Sequence, residues 1–192
     1  MAESREISDA TTMRALAHPT RLALIELMGR EGEMTATRAA EMLGDSPGNM
    51  SWHLQTLAKY GYVEEAGTGK GRSRPWKLAS PRFSVTARPE DPGAALAENE
   101  LVQLILERGR ERQRQWFAAR GTFPADWDAA AFVNEILVYV TSAELRAISG
   151  EIAEIFERHG DRTADKSKRP ADALPVYLSA YGHPLPPTES GN

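Results

Sequence analysis

The sequence predicts a mainly α-helical fold with small sheets, an α+β chain divided into two unequal parts. Apolar residues recur at helical spacing over most of the 192 residues, and short β-type runs bounded by glycine and proline interrupt them. The proline-rich stretch at 88–93 is the strongest candidate for a boundary. We therefore expect an N-terminal domain at 8–80, a second, α+β domain at 81–183 and a disordered tail at 184–192.

Composition limits the possible classes of protein. The chain has no cysteine, which excludes disulfides and thiolate metal sites. No apolar run is long enough to span a bilayer and no signal peptide is evident, so we expect a cytoplasmic protein without membrane contact. Residues 1–80 hold ten basic and ten acidic residues, whereas the rest of the chain carries the whole net charge of −4. The first part is therefore the better candidate for contact with an acidic partner.

Three short helices are predicted before residue 45, after a frayed segment at 1–7. Ser8 or Asp9 can cap the first, Pro19 can begin the second and Thr35 can cap the third. The helices are expected at 9–17, 19–29 and 36–43.

A fourth helix, within the run Ser46–Val63, is the central feature of the sequence. Ser46 is suited to cap it, Pro47 to occupy its first position, and Gly61 to end it. Met50, Leu54 and Leu57 form one apolar stripe. The other face is polar and almost uncharged, as a surface that reads base edges requires. It comprises Asn49, Ser51, Trp52, Gln55, Thr56 and Lys59.

A basic hairpin follows this helix. A run of strand character at 62–66 leads into Gly67, Gly69 and Gly71, a flexible tip, and a second short run follows at 75–78. Residues 67–77 hold four basic residues and no acidic ones. A polar-faced helix followed by such a hairpin is the layout of a winged helix-turn-helix, in which the helix enters the major groove and the wing contacts phosphates. The predicted DNA-binding residues are Ser46, Gly48, Asn49, Ser51, Trp52, Gln55, Thr56, Lys59, Lys70, Arg72 and Arg74.

Three runs carry a resemblance to a known family. They are Leu-Ala-His-Pro-Thr-Arg-Leu at 16–22, Ser-Trp-His-Leu at 51–54 and Leu-Ala-Lys-Tyr-Gly-Tyr-Val at 57–63. In order and spacing they resemble the ArsR-type winged-helix transcription regulators, over roughly residues 8–80. Many members sense metals through a cysteine pair on the third helix, which this chain lacks. The chain is more similar to the long regulators of this group, which implies an appended domain that dimerises and, in some of them, binds a ligand.

Several residues in these runs have a structural and a functional interpretation. For His18 and Arg21, a role in building the start of the second helix is favoured over contact with DNA. For His53, local packing is favoured over contact with a base. Trp52 is equally suited to covering the domain surface and to contacting DNA.

The second part is expected to alternate strands and helices. We predict a strand at 82–86, a long helix at 94–119 and a strand at 136–140 buried on both sides. Thr141 and Glu144 form a capping box that opens a helix to about residue 159, and a last strand is predicted at 174–181. The long helix carries Arg108, Arg110, Arg112 and Arg114, for which a solvated face is favoured over a second DNA contact.

The sequence offers no persuasive catalytic constellation, and we expect neither an enzyme nor a cofactor. The glycines at 67–71 precede no helix, so a nucleotide-binding loop is not favoured. A cluster of Glu154, Glu157, His159 and Asp161 is better explained as a charged helix face than as a metal site. A small apolar effector, if one is bound, would contact Phe132, Ile136, Val138, Ile152, Phe156 and Tyr177.

These observations favour a sequence-specific transcription regulator that binds double-stranded DNA as a homodimer. The alternative is a winged-helix module that binds other proteins. The basic hairpin argues for DNA, whereas the acidic balance of the whole chain leaves the alternative open.

Overall fold

The computed structural model describes residues 5–67, 74–80, 83–87 and 90–186, and its fold is mostly helical with small sheets, as the sequence predicts. The strands are β1 (Arg5–Ile7), β2 (Val63–Glu65), β3 (Trp76–Leu78) and β4 (Phe83–Val85). The helices are α1 (Ala10–Leu16), α2 (Pro19–Glu31), α3 (Ala36–Leu43), α4 (Pro47–Lys59), α5 (Pro92–Ala119), α6 (Ala125–Ala130), α7 (Ser142–Glu157) and α8 (Asp161–Ala164). Two short 3-10 turns lie at Arg120–Thr122 and Lys166–Lys168.

The ends of the first four helices lie close to the predicted positions, because the residues that cap each helix directly precede or follow it in the sequence. Asp9 accepts a hydrogen bond from the amide of Thr12 at 2.8 Å, and Thr35 caps α3 in the same way. Gly44 ends α3 with a φ of 68°, in the left-handed region that favours glycine. The predicted end of α2 is too early, since the helix continues through Gly29 and stops at Gly32.

One hydrophobic core joins these helices to the start of α5. Met13, Leu16, Leu24, Met50 and Leu54 are fully buried, and each such side chain stabilises the fold by about 1.5–3 kcal/mol. Ala94, Ala97 and Leu101 of α5 belong to the same core. The small side chains of Ala94 and Ala97 let α5 lie close to α1, against which it packs. The core therefore extends beyond residue 81, and the division of the chain into domains stays a prediction.

The start of the described chain is ordered, which corrects the expectation of fraying for residues 5–7. β1 pairs in parallel with β4, with Ile7 opposite Val85, and Ile7 is 1% exposed. The predicted strand at 82–86 is thus confirmed at Phe83–Val85, but its partner is the N-terminal strand. A three-residue strand is too short for a periodic signal, and its pairing is settled by a distant segment.

The second part differs most from expectation. The helices at 94–119 and 142–159 are confirmed, and the capping box is present, with the amide of Thr141 donating to Glu144 at 2.7 Å. The strands predicted at 136–140 and 174–181 are wrong, since the structure has no strand in either segment. Ile136 is 82% exposed and not buried on both sides. An apolar run becomes a strand only where another strand can pair with it.

Two smaller findings complete the fold. Met42 is 36% exposed, while Ala39 and Ala40 of the same helix are buried. Within the described ranges, no helix has the length and the apolar content needed to cross a membrane.

Candidate nucleic-acid interface

Helix α4 has one buried and one exposed face. Met50, Leu54 and Leu57 lie in the core and hold the helix against α3 and α2. The predicted reading face is turned outward: Ser46, Gly48, Asn49, Gln55 and Lys59 are exposed, and Ser51 and Thr56 are half-buried. Trp52 is 57% exposed, so it does not cover the domain surface completely. The polar residues predicted from the sequence are therefore brought together on one accessible surface.

The first turn of α4 is held by a network of hydrogen bonds. Ser46 accepts from the amide of Asn49 at 3.2 Å, as the cap prediction requires. The side chain of Asn49 donates to the Asp45 carboxylate at 2.7 Å, and the Ser46 amide donates to the same carboxylate at 2.6 Å. The Ser46 hydrogen bond, followed by that of Asn49, lowers the pKa of Asp45. One of the two donor hydrogens on the Asn49 side-chain nitrogen is therefore bound to Asp45.

The middle of the face is ordered by side chains one turn apart. Thr56 donates its hydroxyl hydrogen to the backbone oxygen of Trp52 at 2.9 Å, and Gln55 lies 3.5 Å from the Ser51 hydroxyl. The Lys59 ammonium lies 5.5 Å from the centroid of the Tyr60 ring. These local contacts restrict the side chains before any partner binds, which lowers the entropic cost of binding.

The hairpin after α4 is confirmed, and its basic residues have acidic neighbours. β2 and β3 are antiparallel, with Glu64 opposite Lys77 and Glu65 opposite Trp76. Glu65 pairs with Arg74 at 2.5 Å, and Glu64 pairs with Lys77 at 3.0 Å. The predicted contacts Lys70 and Arg72 lie outside the described residues.

Sequence reasoning missed these ion pairs. Counting charges from Gly67 to Lys77 finds no acidic residue, because both glutamates precede the tip of the hairpin. A two-stranded register with residue 64 opposite residue 77 would have revealed the partners. Both pairs are exposed, so each contributes about 0–1 kcal/mol and can be exchanged for a phosphate contact.

Behind the reading face, two histidines support α4. His53 is 3% exposed, and its ring centroid lies 4.7 Å from that of His18 and 4.8 Å from that of Trp52. The Nδ1 of His18 accepts from the amide of Thr20 at 3.2 Å and so caps α2. The favoured structural interpretation of both residues is confirmed. Together they connect the start of α2 to α4.

Burial is the largest influence on the pKa values of His18 and His53. It lowers the pKa of both histidines, and the nearby Arg21 lowers both pKa values further. Arg21 is itself half-buried, and burial lowers its pKa against the opposing effect of Tyr62 and Tyr60. Both shifts favour the neutral form of the two imidazoles.

Two arginines of the long helix α5 form ion pairs with a glutamate of α2. Glu26 of α2 accepts hydrogen bonds from Arg108, at 2.5 Å, and from Arg112. The guanidinium of Arg112 also lies 3.6 Å from the centroid of the Tyr177 ring. Two of the four arginines thus bind protein and do not form a purely solvated face. A cavity of about 320 Å³ lies beside these ion pairs. It is lined by Pro19, Glu26, Leu104, Glu107, Arg108, Glu111, Arg112 and Gln115.

The residues predicted to contact an apolar effector lie on the surface of the single chain. Phe132, Ile136, Val138 and Tyr177 are exposed, and Ile152 and Phe156 are half-buried. The effector contacts therefore stay a prediction. Among the described residues, no group of three or more histidines and carboxylates could hold a metal ion.

Comparison with known families agrees with the geometry of α3 and α4. Residues 16–65 match a family model described as a helix-turn-helix domain. A search of the curated proteins gave no match. The matched region runs from the end of α1 to the end of β2 and contains the turn and both helices that pack around it. The chain therefore carries a helix-turn-helix domain, the kind of domain typical of DNA-binding regulators.

Proposed function

We propose that the protein is a sequence-specific transcription regulator of the ArsR type that binds double-stranded DNA as a homodimer. The observation that carries the proposal is the outward polar face of α4, stiffened by local hydrogen bonds and followed directly by a basic hairpin. Asn49, Gln55 and Thr56 have the donors and acceptors that read base edges in the major groove. Lys59 and Arg74, with Lys70 and Arg72, would neutralise phosphates, so affinity would fall steeply with salt.

Two copies would read two half-sites about one helical turn apart. In this proposal the second half of the chain sets the separation of the two recognition helices. A small apolar effector would act only by binding the DNA-competent and the incompetent arrangements unequally.

The test is a titration of the protein against its own upstream DNA, with an unrelated fragment as competitor, at two salt concentrations. The variant Gln55→Ala would lose about 1–3 kcal/mol of affinity for the specific site, which is the usual value of one base-reading pair, and would bind unrelated DNA unchanged. Gln103→Ala is the matched control, because Gln103 is also an exposed glutamine in a helix. Equal losses on both fragments would contradict base reading by Gln55.

The second candidate is a module that binds other proteins. It is favoured by the acidic groups Asp45, Glu64 and Glu65, which neutralise the start of α4 and part of the wing. A selection from fragmented genomic DNA separates the candidates. A regulator enriches a common motif, whereas enrichment of no fragment by the folded protein would overturn the DNA proposal.

A further inference from the structure

The second half of the chain contains two apolar segments, but its described residues form no buried core of their own. Leu101 is the last buried residue, and none of the described residues from 102 to 186 is buried. Two segments concentrate the exposed apolar side chains, at 131–140 and at 173–181. The first contains a single charged residue, Glu135, and the second contains none. Disordered segments are low in apolar residues and rich in charge, so this composition indicates a surface that is covered.

From this surface we infer that a second copy of the chain covers it, with segment 131–140 of each copy pairing in an antiparallel sheet across a two-fold axis. The inference deepens the homodimer of the proposed function. Interfaces of this composition resemble a domain core cut in half, which is characteristic of obligate homodimers and unlike the more polar surfaces of transient partners. A two-fold axis also lets one surface be its own complement.

The exposed area is of the size that a stable dimer needs. Phe132, Tyr139, Tyr177 and Tyr181 are 69%, 99%, 55% and 78% exposed. Since an aromatic side chain can bury about 150–250 Å², covering these four would remove roughly 450–750 Å² per chain from water. A standard interface buries about 800 Å² per partner, and the neighbouring aliphatic side chains exceed the difference.

A single copy cannot satisfy these segments by itself. Pairing 131–140 with 173–181 inside one chain would give a two-stranded sheet, which is marginally stable in water. Two copies supply four strands. Pro175 restricts the second segment to an edge, because proline cannot donate to the sheet, whereas 131–140 has no proline and can lie at the centre.

Helix α7 has an apolar face that can pack on this sheet. It has no buried residue, although Leu145, Ile148, Ile152, Ile155 and Phe156 recur at helical spacing along it. It begins directly after the first segment, since Thr141 is its cap. A two-fold pair of α7 helices packed on the four strands would bury these side chains together with Ile136 and Val138.

The pairing has a preferred register. In a two-fold antiparallel pair, one residue lies opposite its own copy, and its neighbours pair symmetrically about it. Centring the pair on Glu135 would set two carboxylates opposite each other, which is destabilising. Centring it on Ile136 sets Val133 opposite Tyr139, a favourable pair of β-branched and aromatic residues, and Asn134 opposite Val138.

The absence of cysteine makes this register directly testable. The full-length variant Ile136→Cys should form an interchain disulfide under mild oxidation, because opposed residues in a sheet lie within disulfide range. Glu33→Cys, at an exposed position on the helix-turn-helix domain, is the control and should remain monomeric on a non-reducing gel. No excess of crosslinking at residue 136 over residue 33 would overturn the proposed pairing.

The second arm measures the mass of the full chain by light scattering during gel filtration. The wild type should be a dimer, and Ile136→Asp should shift it to a monomer, since two aspartates would oppose each other at the axis. The same change at Leu185, 63% exposed and outside both segments, should leave the dimer intact. A monomeric wild type, or a dimer that survives Ile136→Asp, would overturn the inference. Neither arm involves DNA, so a failure here is distinguishable from a failure of DNA binding.

Discussion

At the scale of single residues, we expect the buried His53 and the half-buried His18 to make stability depend on pH. Burial lowers the pKa of His53 and His18 below the ordinary value of about 6.5. Below that value the unfolded chain takes up protons that the folded chain excludes, so the equilibrium moves toward unfolding. The stabilisation is complete above about pH 6.5 and is lost as the pH falls toward the lowered values. The carboxylates whose pKa is lowered affect stability only at more acidic pH.

We therefore expect the melting temperature to fall between pH 7.5 and pH 5.5, and to fall less in His53→Gln than in the wild type. The variant removes one of the two groups whose pKa is lowered, whereas His159→Gln, at an exposed position, should keep the full dependence. Thermal unfolding followed by circular dichroism at both pH values measures the difference. An unchanged dependence in His53→Gln would show that the cluster does not control it.

Residue roles were predictable where they depend on local chemistry. The sequence identifies Ser46 and Thr35 as caps and Asp9 as one of two candidates for a cap. A hydroxyl or carboxylate before a helix reaches the free amides of its own first turn. The partners of Arg108 and Arg112 could not be read in the same way. Glu26 lies more than eighty residues away from them along the chain, and only the packing of α5 on α2 brings the three together.

At the scale of elements, the β2–β3 hairpin shows how a register changes the meaning of a basic run. Pairing sets the acids of β2 beside the bases that follow the tip, so in the proposed complex the Glu65 carboxylate would compete with a phosphate for Arg74. The variant Glu65→Gln should therefore bind DNA several-fold more tightly, with little change in stability, because an exposed ion pair contributes about 0–1 kcal/mol. A fluorescence titration with specific DNA measures the affinity.

Glu111→Gln is the matched control, since Glu111 forms an exposed ion pair with Arg114 on α5 and carries the same charge. It should change the affinity only slightly, through net charge. Equal gains in the two variants would assign the effect to overall charge and would contradict a specific restraint on Arg74.

The long helices were predicted well, whereas β1 was missed and the strands predicted for the second half were wrong, for a physical reason. A helix satisfies its backbone within one segment, so α5 and α7 follow from apolar spacing and caps alone. β1 and β4 depend on each other across most of the N-terminal half of the chain. The runs at 136–140 and 174–181 have strand composition but find no partner strand in the single chain.

At the scale of the whole molecule, stability is concentrated in the first half. Every buried residue of the described chain lies between Ile7 and Leu101, and of the helices after α5, α8 packs against α2. Lys166 donates to the backbone of Glu31, and Tyr177 covers Arg112, but these contacts are at least partly exposed to water. A shortened chain that ends at Thr122 retains the whole core and all of α5.

This shortened chain should unfold cooperatively as a monomer, at a melting temperature that does not depend on protein concentration. The full-length protein should instead melt at higher temperatures as its concentration rises, because association of the folded state stabilises it by mass action. Calorimetric scans at two concentrations tenfold apart measure both. If the shortened chain failed to unfold cooperatively, the second half would be required to complete the core within one copy. If the full-length protein showed no dependence on concentration, its second half would not be stabilised by association.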